Sequence, residues 1–306
     1  YGTLMAVLQL VARIQAPVSN LSGLLPQLYQ TLASAERLME ITELPHSENR
    51  LPLTATEFYE HLAGVNMKNV AFSYSEEEGK AACASGDGAS IEAAEAFLEG
   101  NDVSLTCADA FVSKGSFVVV EGPSGSGKST LFKLVLGAYD AEGFTYELAR
   151  DGSAASCIAS QVPPGVFAYV PQDNFLFAGT VRENVAFAAS DAADEQIERA
   201  CKAACAWGFV KELPLGLDTM IGEHGQGLSQ GQLQRLAIAR AICSGAPIMV
   251  LDEVTSALDD ATEAAVLANI AALPDKTVFV AAHRAKAHEF ATMCLRVENG
   301  VMSEVH

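Results

Sequence analysis

The residues best suited to chemistry form a glycine-rich loop that directly follows the apolar run Phe117–Val120. Residues 122–130, Gly-Pro-Ser-Gly-Ser-Gly-Lys-Ser-Thr, fit the pattern G-x-x-x-x-G-K-[ST]. Because such a loop points successive backbone N–H groups inward, it cradles phosphates, with Lys128 at the β- and γ-phosphates and the Ser129 hydroxyl as a Mg²⁺ ligand. The expected phosphate contacts are Gly122, Pro123, Ser124, Gly125, Ser126, Gly127, Lys128, Ser129 and Thr130. The loop therefore predicts binding of a nucleoside triphosphate.

The flanking elements support this prediction. The run before the loop is typical of a buried strand, and Leu131, Leu134 and Val135 after it have helical spacing. A helix that starts near Ser129 directs the positive end of its dipole at the phosphates. A glycine-rich turn that matched the pattern by chance would lack this strand–loop–helix context.

A second candidate site follows another apolar run. Ile248–Leu251 predicts a strand that ends in two carboxylates, Asp252 and Glu253. In this position Asp252 is expected to hold Mg²⁺, and Glu253 to polarise an attacking water. A strand that ends in a solvated acidic turn would have the same local sequence.

A third candidate is the start of a helix at Leu228-Ser229-Gln230-Gly231-Gln232. Ser229 is a suitable N-cap, and Gly231 permits close approach of another backbone. Such an N-terminus is a second anion-binding feature, although an ordinary capped amphipathic helix has the same pattern.

Short apolar runs alternate with helical stretches from Val65 onward, which predicts an α/β fold with a mostly parallel sheet covered by helices. The predicted strands are Val118–Val120, Val166–Val170, Ile248–Leu251 and Val278–Ala281, and the predicted helices are 191–213, 229–244 and 261–273.

Composition limits the partners and the chemistry. The 306 residues are half hydrophobic and carry a net charge of −19, so a nucleic-acid partner would be repelled over most of the surface. Seven cysteines without a C-x-x-C pair indicate neither a disulfide framework nor a zinc site. Cys201 and Cys205 share a predicted helix face and are expected to pack in the core.

Residues 1–43 have a helical pattern that is interrupted near Pro17 and Pro26, and Pro45 and Pro52 mark a linker after it. Gln9 and Arg13 make the pattern too polar to identify a membrane span by hydropathy alone. From the residues themselves, a membrane helix and an amphipathic soluble helix remain equally open. Residues 76–101 are acidic and rich in small residues, which favours a surface insertion.

The motifs together resemble the nucleotide-binding domain of ATP-binding cassette (ABC) transporters, in the order of that family. The correspondences are Walker A at 122–130, the Q-loop glutamine at Gln172, the signature at 228–232, Walker B at 248–253, the D-loop at 256–259 and the switch histidine at His283. The resemblance covers residues 65–306. It implies a P-loop ATPase fold with a mostly parallel core sheet, an antiparallel β subdomain and an α-helical signature subdomain.

Two positions depart from the family pattern. Gln230 stands where the signature usually has glycine, while Ser229 and Gly231, which are expected to touch phosphate, are retained. The aromatic residue that stacks on adenine corresponds to Tyr74, although the insertion lengthens its separation from the phosphate loop.

The resemblance also gives an interpretation of the N-terminal region. Residues 1–43 resemble the last transmembrane helix and cytoplasmic extension of an exporter whose membrane and ATPase domains share one polypeptide, with 44–64 as a linker. This implies the C-terminal part of a longer multi-pass protein of the cell or inner membrane, with a cytoplasmic ATPase domain. The transported substrate stays unidentified.

The implied activity is ATP hydrolysis with ATP and Mg²⁺ between two head-to-tail nucleotide-binding domains, in a homodimer or a heterodimer. The implied catalytic residues are Glu253, His283, Lys128 and Gln172, the Mg²⁺ ligands are Ser129, Gln172 and Asp252, and the signature contacts supplied to the other domain are Ser229, Gly231 and Gln232. The alternatives are a soluble ABC-class ATPase and a cassette that binds ATP only as a scaffold.

Deletion of residues 77–99 is expected to leave the affinity for ATP nearly unchanged, because a surface insertion does not form the pocket. Titration with a labelled nucleotide measures this. A large loss of affinity would show that the segment helps to form the adenine pocket.

Overall fold

The computed structural model describes residues 2–5, 9–10, 13, 29–32, 35, 39, 50–74, 82–83, 103–150, 153–172, 176–222, 227–282 and 285–305. The chain divides into two compact units, Tyr1–Glu48 and Asn49–His306. In the first unit the described residues are helical. Within the described part of the chain, no helix combines the length and apolar character needed to cross a membrane.

The second unit contains a short N-terminal helix and two larger β-sheets. The helices are α1 (Ala55–His61), α2 (Lys128–Val135), α3 (Val181–Val185), α4 (Asp194–Ala203), α5 (Trp207–Glu212), α6 (Gln230–Cys243) and α7 (Asp260–Ala271). The first strands are β1 (Leu62–Met67), β2 (Val70–Ser73), β3 (Ala82–Cys83), β4 (Val103–Cys107), β5 (Ala110–Ser113), β6 (Phe117–Glu121), β7 (Phe144–Arg150) and β8 (Ser153–Cys157). The later strands are β9 (Phe167–Val170), β10 (Gly179–Thr180), β11 (Met220–Ile221), β12 (Ile248–Asp252), β13 (Thr277–Ala281), β14 (Met293–Glu298) and β15 (Val301–Val305).

The central sheet has the order β3-β2-β4-β15-β14-β6-β13-β12-β9. Its middle strands β14, β6, β13, β12 and β9 are parallel neighbours. The predicted parallel core is therefore confirmed, with antiparallel pairs toward the β2 edge. A smaller antiparallel sheet has the order β5-β1-β7-β8.

The core lies on both faces of the central sheet, because alternate side chains of each strand point to opposite faces. Val119 and Leu251 belong to the cluster that includes buried residues of α4, α6 and α7. Val120 and Val250 belong to the cluster that includes α2 and the smaller sheet. Burial on both faces explains why these strands are continuous apolar runs in the sequence.

The predicted helix 191–213 consists of two helices, α4 and α5. The break lies at Cys205, whose φ of 53° is left-handed and ends the first helix. Arg235 donates to the Cys205 carbonyl at 2.9 Å, and Asn269 donates to the Ala203 carbonyl at 2.9 Å, so the bend is held by long-range contacts. Cys201 is buried in the core, and Cys205 packs against it.

Asn184, on α3, joins the segment around Phe177 to helix α6. Its side chain is fully buried and accepts hydrogen bonds from the Phe177 N–H (3.2 Å) and Arg240 Nη2 (2.8 Å). Its Nδ2 donates to the carbonyls of Phe177 and Thr180, both at 3.0 Å. A buried amide with both ends bonded fixes this turn against α6.

We expect Asn184→Ala to lower the free energy of unfolding by roughly 2–4 kcal/mol, because it removes four hydrogen bonds of a buried amide, one of them from Arg240. Urea denaturation measures the change. The exposed Lys211→Ala serves as the control and should change stability by less than about 0.5 kcal/mol. Equal stability of the two variants would contradict a structural role for the amide.

Candidate functional site

The phosphate-binding loop lies between β6 and α2, at the carboxyl end of the parallel strands. Gly122 has a φ of 147°, and a Cβ there would lie 2.0 Å from the Val297 carbonyl oxygen, so only glycine fits beside β14. Gly127 has a φ of 114° and precedes the first residue of α2. The loop thus turns directly into a helix N-terminus, where free backbone N–H groups favour an anion.

Lys128 places its charge inside the loop. Its side chain is only 5% exposed, and Nζ donates to the carbonyls of Gly122 at 2.8 Å and Pro123 at 3.0 Å. The same Nζ lies 3.5 Å from Glu253 Oε1. A buried ammonium requires such partners, and a phosphate group would be another suitable one.

Ser129 and Asp252, the two residues predicted to bind Mg²⁺ through a hydroxyl and a carboxylate, are hydrogen-bonded to each other. The Ser129 hydroxyl donates to Asp252 Oδ2 at 3.1 Å, and the Tyr169 hydroxyl donates to the same oxygen at 3.4 Å. Burial raises the pKa of Asp252 above its ordinary value, and neighbouring Glu253 acts in the same direction, whereas the bond from Ser129 opposes them. A positive charge beside Asp252 would favour its ionised form.

Glu253 follows β12 with a φ of 52°, a left-handed conformation that is uncommon for a residue with a side chain. Its Oε2 accepts a hydrogen bond from Gln172 Nε2 at 3.0 Å, and its Oε1 faces Lys128. The two predicted catalytic side chains Gln172 and Glu253 therefore lie in contact. Backbone strain of this kind is a feature of functional sites.

Tyr74 lies at the other end of the loop. Its hydroxyl is 3.3 Å from the Thr130 hydroxyl and accepts from Lys133 Nζ at 3.4 Å. Its ring makes edge contacts with Phe72 and Tyr139, at centroid distances of 5.0 and 5.5 Å. The ring is 41% exposed, so it has a free surface beside the loop, as the prediction of base stacking requires.

The phosphate loop, Tyr74, Gln172 and Glu253 line one cleft of about 610 Å³, and Asp252 lies behind its lining, where it accepts from Ser129. Its lining consists of Tyr74, Pro123, Ser124, Gly125, Ser126, Gly127, Lys128, Ser129, Thr130, Gln172, Glu253, Asn299 and Gly300. Asn299 and Gly300, which no sequence pattern assigned to the site, form the turn between β14 and β15. The Gly300 N–H donates to the Ser126 carbonyl at 3.1 Å and so supports the loop. Asn-Gly between two strands is a strong hairpin signal, but it does not indicate which site the turn meets.

The signature residues Ser229, Gly231 and Gln232 do not line this cleft. Ser229 caps α6, where the Gln232 N–H donates to its hydroxyl at 3.3 Å and its own N–H donates to Gln232 Oε1 at 2.8 Å. The predicted capped helix start is confirmed, and Ser229 and Gln230 are exposed. His283 lies outside the described residues.

The residues of the cleft fit Mg²⁺ and a phosphate chain. Ser126 Oγ is buried and, among the described residues, has no hydrogen-bond partner, so this loop retains an unused polar group. Mg²⁺ prefers oxygen ligands, and the Ser129 hydroxyl and Asp252 carboxylate already converge on one point. Lys128 provides the positive charge that a triphosphate requires.

The chain resembles many curated proteins. It is 33% identical over 311 residues to the uncharacterized ABC transporter ATP-binding protein YknU of Bacillus subtilis (strain 168) and 34% identical over 306 residues to the ATP-dependent lipid A-core flippase of Vibrio vulnificus (strain CMCP6). Each match covers 99% of this chain and 48% of the relative. The chain therefore spans about half the length of the curated relatives it matches.

A solved structure supports the same assignment. A bacterial Atm1-family ABC exporter with ATP bound superimposes with a TM-score of 0.68 at 27% identity, over 90% of this chain and 44% of that one. The family model described as ABC transporter matches residues 101–256. These matches agree with the order of the motifs and with the observed fold. The chain therefore belongs to the ABC transporter family, as an ATP-binding domain of the exporter type.

Proposed function

We propose that this chain hydrolyses ATP in an ABC exporter and couples the closure of two nucleotide-binding domains to movement of a substrate across a membrane. The observation that supports this most strongly is the contact of Glu253 with both Lys128 and Gln172 at the mouth of the phosphate loop. The proposal gives each of these three side chains a distinct task.

Lys128 and the loop N–H groups bind the phosphate chain. The Lys128 ammonium group donates to two carbonyls and faces Glu253, and these contacts hold it inside the loop. A γ-phosphate beside Lys128 takes over part of this pairing, and charge that develops on the transferred phosphoryl group is stabilised there. The ring of Tyr74, which is 41% exposed and has Lys133 Nζ 5.4 Å from its centroid, stacks on the base.

Ser129, Asp252 and Gln172 would hold Mg²⁺. The ion would neutralise charge on the β- and γ-phosphate oxygens. The hydroxyl of Tyr169 donates to Asp252 and restrains the orientation of its carboxylate.

Glu253 orients the attacking water. Its carboxylate is held on one side by Gln172 and on the other by Lys128, so its rotation is restricted. The water attacks the γ-phosphorus, the bond to the bridging oxygen breaks, and ADP and inorganic phosphate form. Positioning and electrostatic stabilisation account for most of the acceleration of such a reaction. His283 contacts the γ-phosphate in this proposal.

A second nucleotide-binding domain completes the site. Among the described residues, those at the exposed start of α6 do not line the cleft that contains the phosphate loop. In a head-to-tail pair, Ser229, Gly231 and Gln232 of one copy reach the triphosphate held by the other. ATP binding then drives dimerisation, and hydrolysis reverses it.

The relatives support a proposal for a membrane part. One of them is an ATP-dependent lipid A-core flippase, and this chain covers 48% of its length. We propose that residues 1–43 end a transmembrane domain of the same polypeptide. The cytoplasmic ATPase domain would lie within the unit Asn49–His306, because α1 and β1, which include residues predicted to form a linker, belong to that unit. The full protein would then be multi-pass and would export a substrate that its membrane helices select.

We expect Glu253→Gln to lower steady-state ATP hydrolysis roughly 10²–10⁴-fold, because the amide no longer accepts a proton from water. ATP affinity should be retained, since Lys128 and the loop are intact. A phosphate-release assay and nucleotide titration measure the two effects, with the exposed Glu212→Gln as the matched control. Hydrolysis at the wild-type rate by the Glu253 variant would remove this residue from its proposed role.

A further inference from the structure

Gln234 is a buried glutamine on α6 whose amide is bonded at both ends to another loop. It is 3% exposed, its Nε2 donates to Ser256 Oγ at 3.1 Å, and its Oε1 accepts from the Ala257 N–H at 3.1 Å. Ser256 and Ala257 belong to the segment 256–259 that follows Walker B. The amide therefore joins the helix that starts with the signature to the D-loop of the same chain.

A second contact brings the same two segments together. A Cβ at Gly231 would lie 3.0 Å from the carbonyl oxygen of Ala257, so the first turn of α6 passes very close to the D-loop backbone. Gly231 and Gln234 are three residues apart and therefore lie on one side of the helix. This side of α6 faces the D-loop.

Hydrogen bonds hold the D-loop at both of its ends. Asp259 is the N-cap of α7 and accepts from the Ala261 and Thr262 N–H groups at 3.1 and 3.0 Å. Thr255 donates to the buried Glu263 carboxylate at 2.7 Å. Ser256 and Ala257 are exposed between these anchors, and Gln234 bonds to the Ser256 hydroxyl and the Ala257 N–H.

The other side of the α6 start is also fixed. Arg235 donates to the carbonyls of Gly231 at 3.1 Å and Cys205 at 2.9 Å, and its guanidinium lies 4.9 Å from the Phe209 ring centroid. Arg235 thus joins α6 to the α4–α5 region, while Gln234 joins it to the core ATPase domain. The Gln234 amide and the close approach of Gly231 to Ala257 are thus two described contacts between the signature helix and the D-loop.

We propose that Gln234 is a positioning residue that holds the signature and the D-loop of one chain as a single surface, which docks on the nucleotide held by a second copy. This inference rests on the proposed function, because it assumes ATP-driven pairing. It adds that Gln234 contributes to pairing without contributing to the affinity of the isolated chain for ATP.

The test uses the 306-residue chain with Glu253→Gln, in which ATP is bound and hydrolysis is slow. Adding Gln234→Met removes both hydrogen bonds but keeps an unbranched side chain with a high helix propensity. The dissociation constant of the ATP-bound dimer, measured by sedimentation, should rise about tenfold. Two hydrogen bonds that hold the D-loop against α6 are then missing. The ATP affinity of the monomer, measured by nucleotide titration at low protein concentration, should stay the same.

Two further variants separate positioning from general stability. Gln234→Glu still accepts from the Ala257 N–H, and the Ser256 hydroxyl can rotate to donate, so this variant should restore most of the pairing. Gln196→Met removes one glutamine bond, to the Cys243 carbonyl, away from the D-loop and should pair like the parent.

Three results would overturn the inference: equal pairing by parent and Gln234→Met, equal weakening by Gln196→Met, or weaker ATP binding by the monomer that carries Gln234→Met. If the parent Glu253→Gln chain binds ATP but does not pair, the proposed function is overturned, and this inference with it.

Discussion

The pairing of the buried Lys128 ammonium group is the interaction on which the candidate site depends. A lysine that is 5% exposed requires nearby acceptors, and the loop supplies two carbonyls while β12 supplies the Glu253 carboxylate. These groups come from separate segments that meet because β6 and β12 both flank β13 in a parallel sheet. The fold thus holds the Lys128 ammonium group at a position where a phosphate can replace some of its present hydrogen-bond partners.

The parallel arrangement also accounts for the carboxylates. Because parallel strands end at the same edge, Asp252 at the end of β12 reaches Ser129 at the start of α2. The continuous apolar runs that form these strands are buried on both faces, so the edge that carries the polar residues is rigid. Binding and catalysis use groups on a fixed frame, which is the arrangement that positioning and electrostatic catalysis require.

Much of this could be predicted from the sequence, because the relevant signals are local. The phosphate loop, the capped start of α6 and the carboxylates after β12 each have a short pattern with a physical meaning. The left-handed backbone of Glu253, the approach of Asn299 and Gly300 to the loop, and the Tyr169 contact with Asp252 could not be predicted. They depend on distant segments that meet only in the folded chain. For the same reason, Gln234 resembled any other polar residue of an amphipathic helix.

The most direct test of the account mixes two inactive variants. Lys128→Ala retains an intact signature, and Ser229→Arg retains an intact phosphate loop, so a mixed pair contains one complete site if the site is shared between copies. We expect each variant alone to have almost no ATP hydrolysis and the mixture to recover part of the wild-type rate in a phosphate-release assay. A mixture as inactive as its components, or full activity of Ser229→Arg alone, would contradict a site composed of two copies.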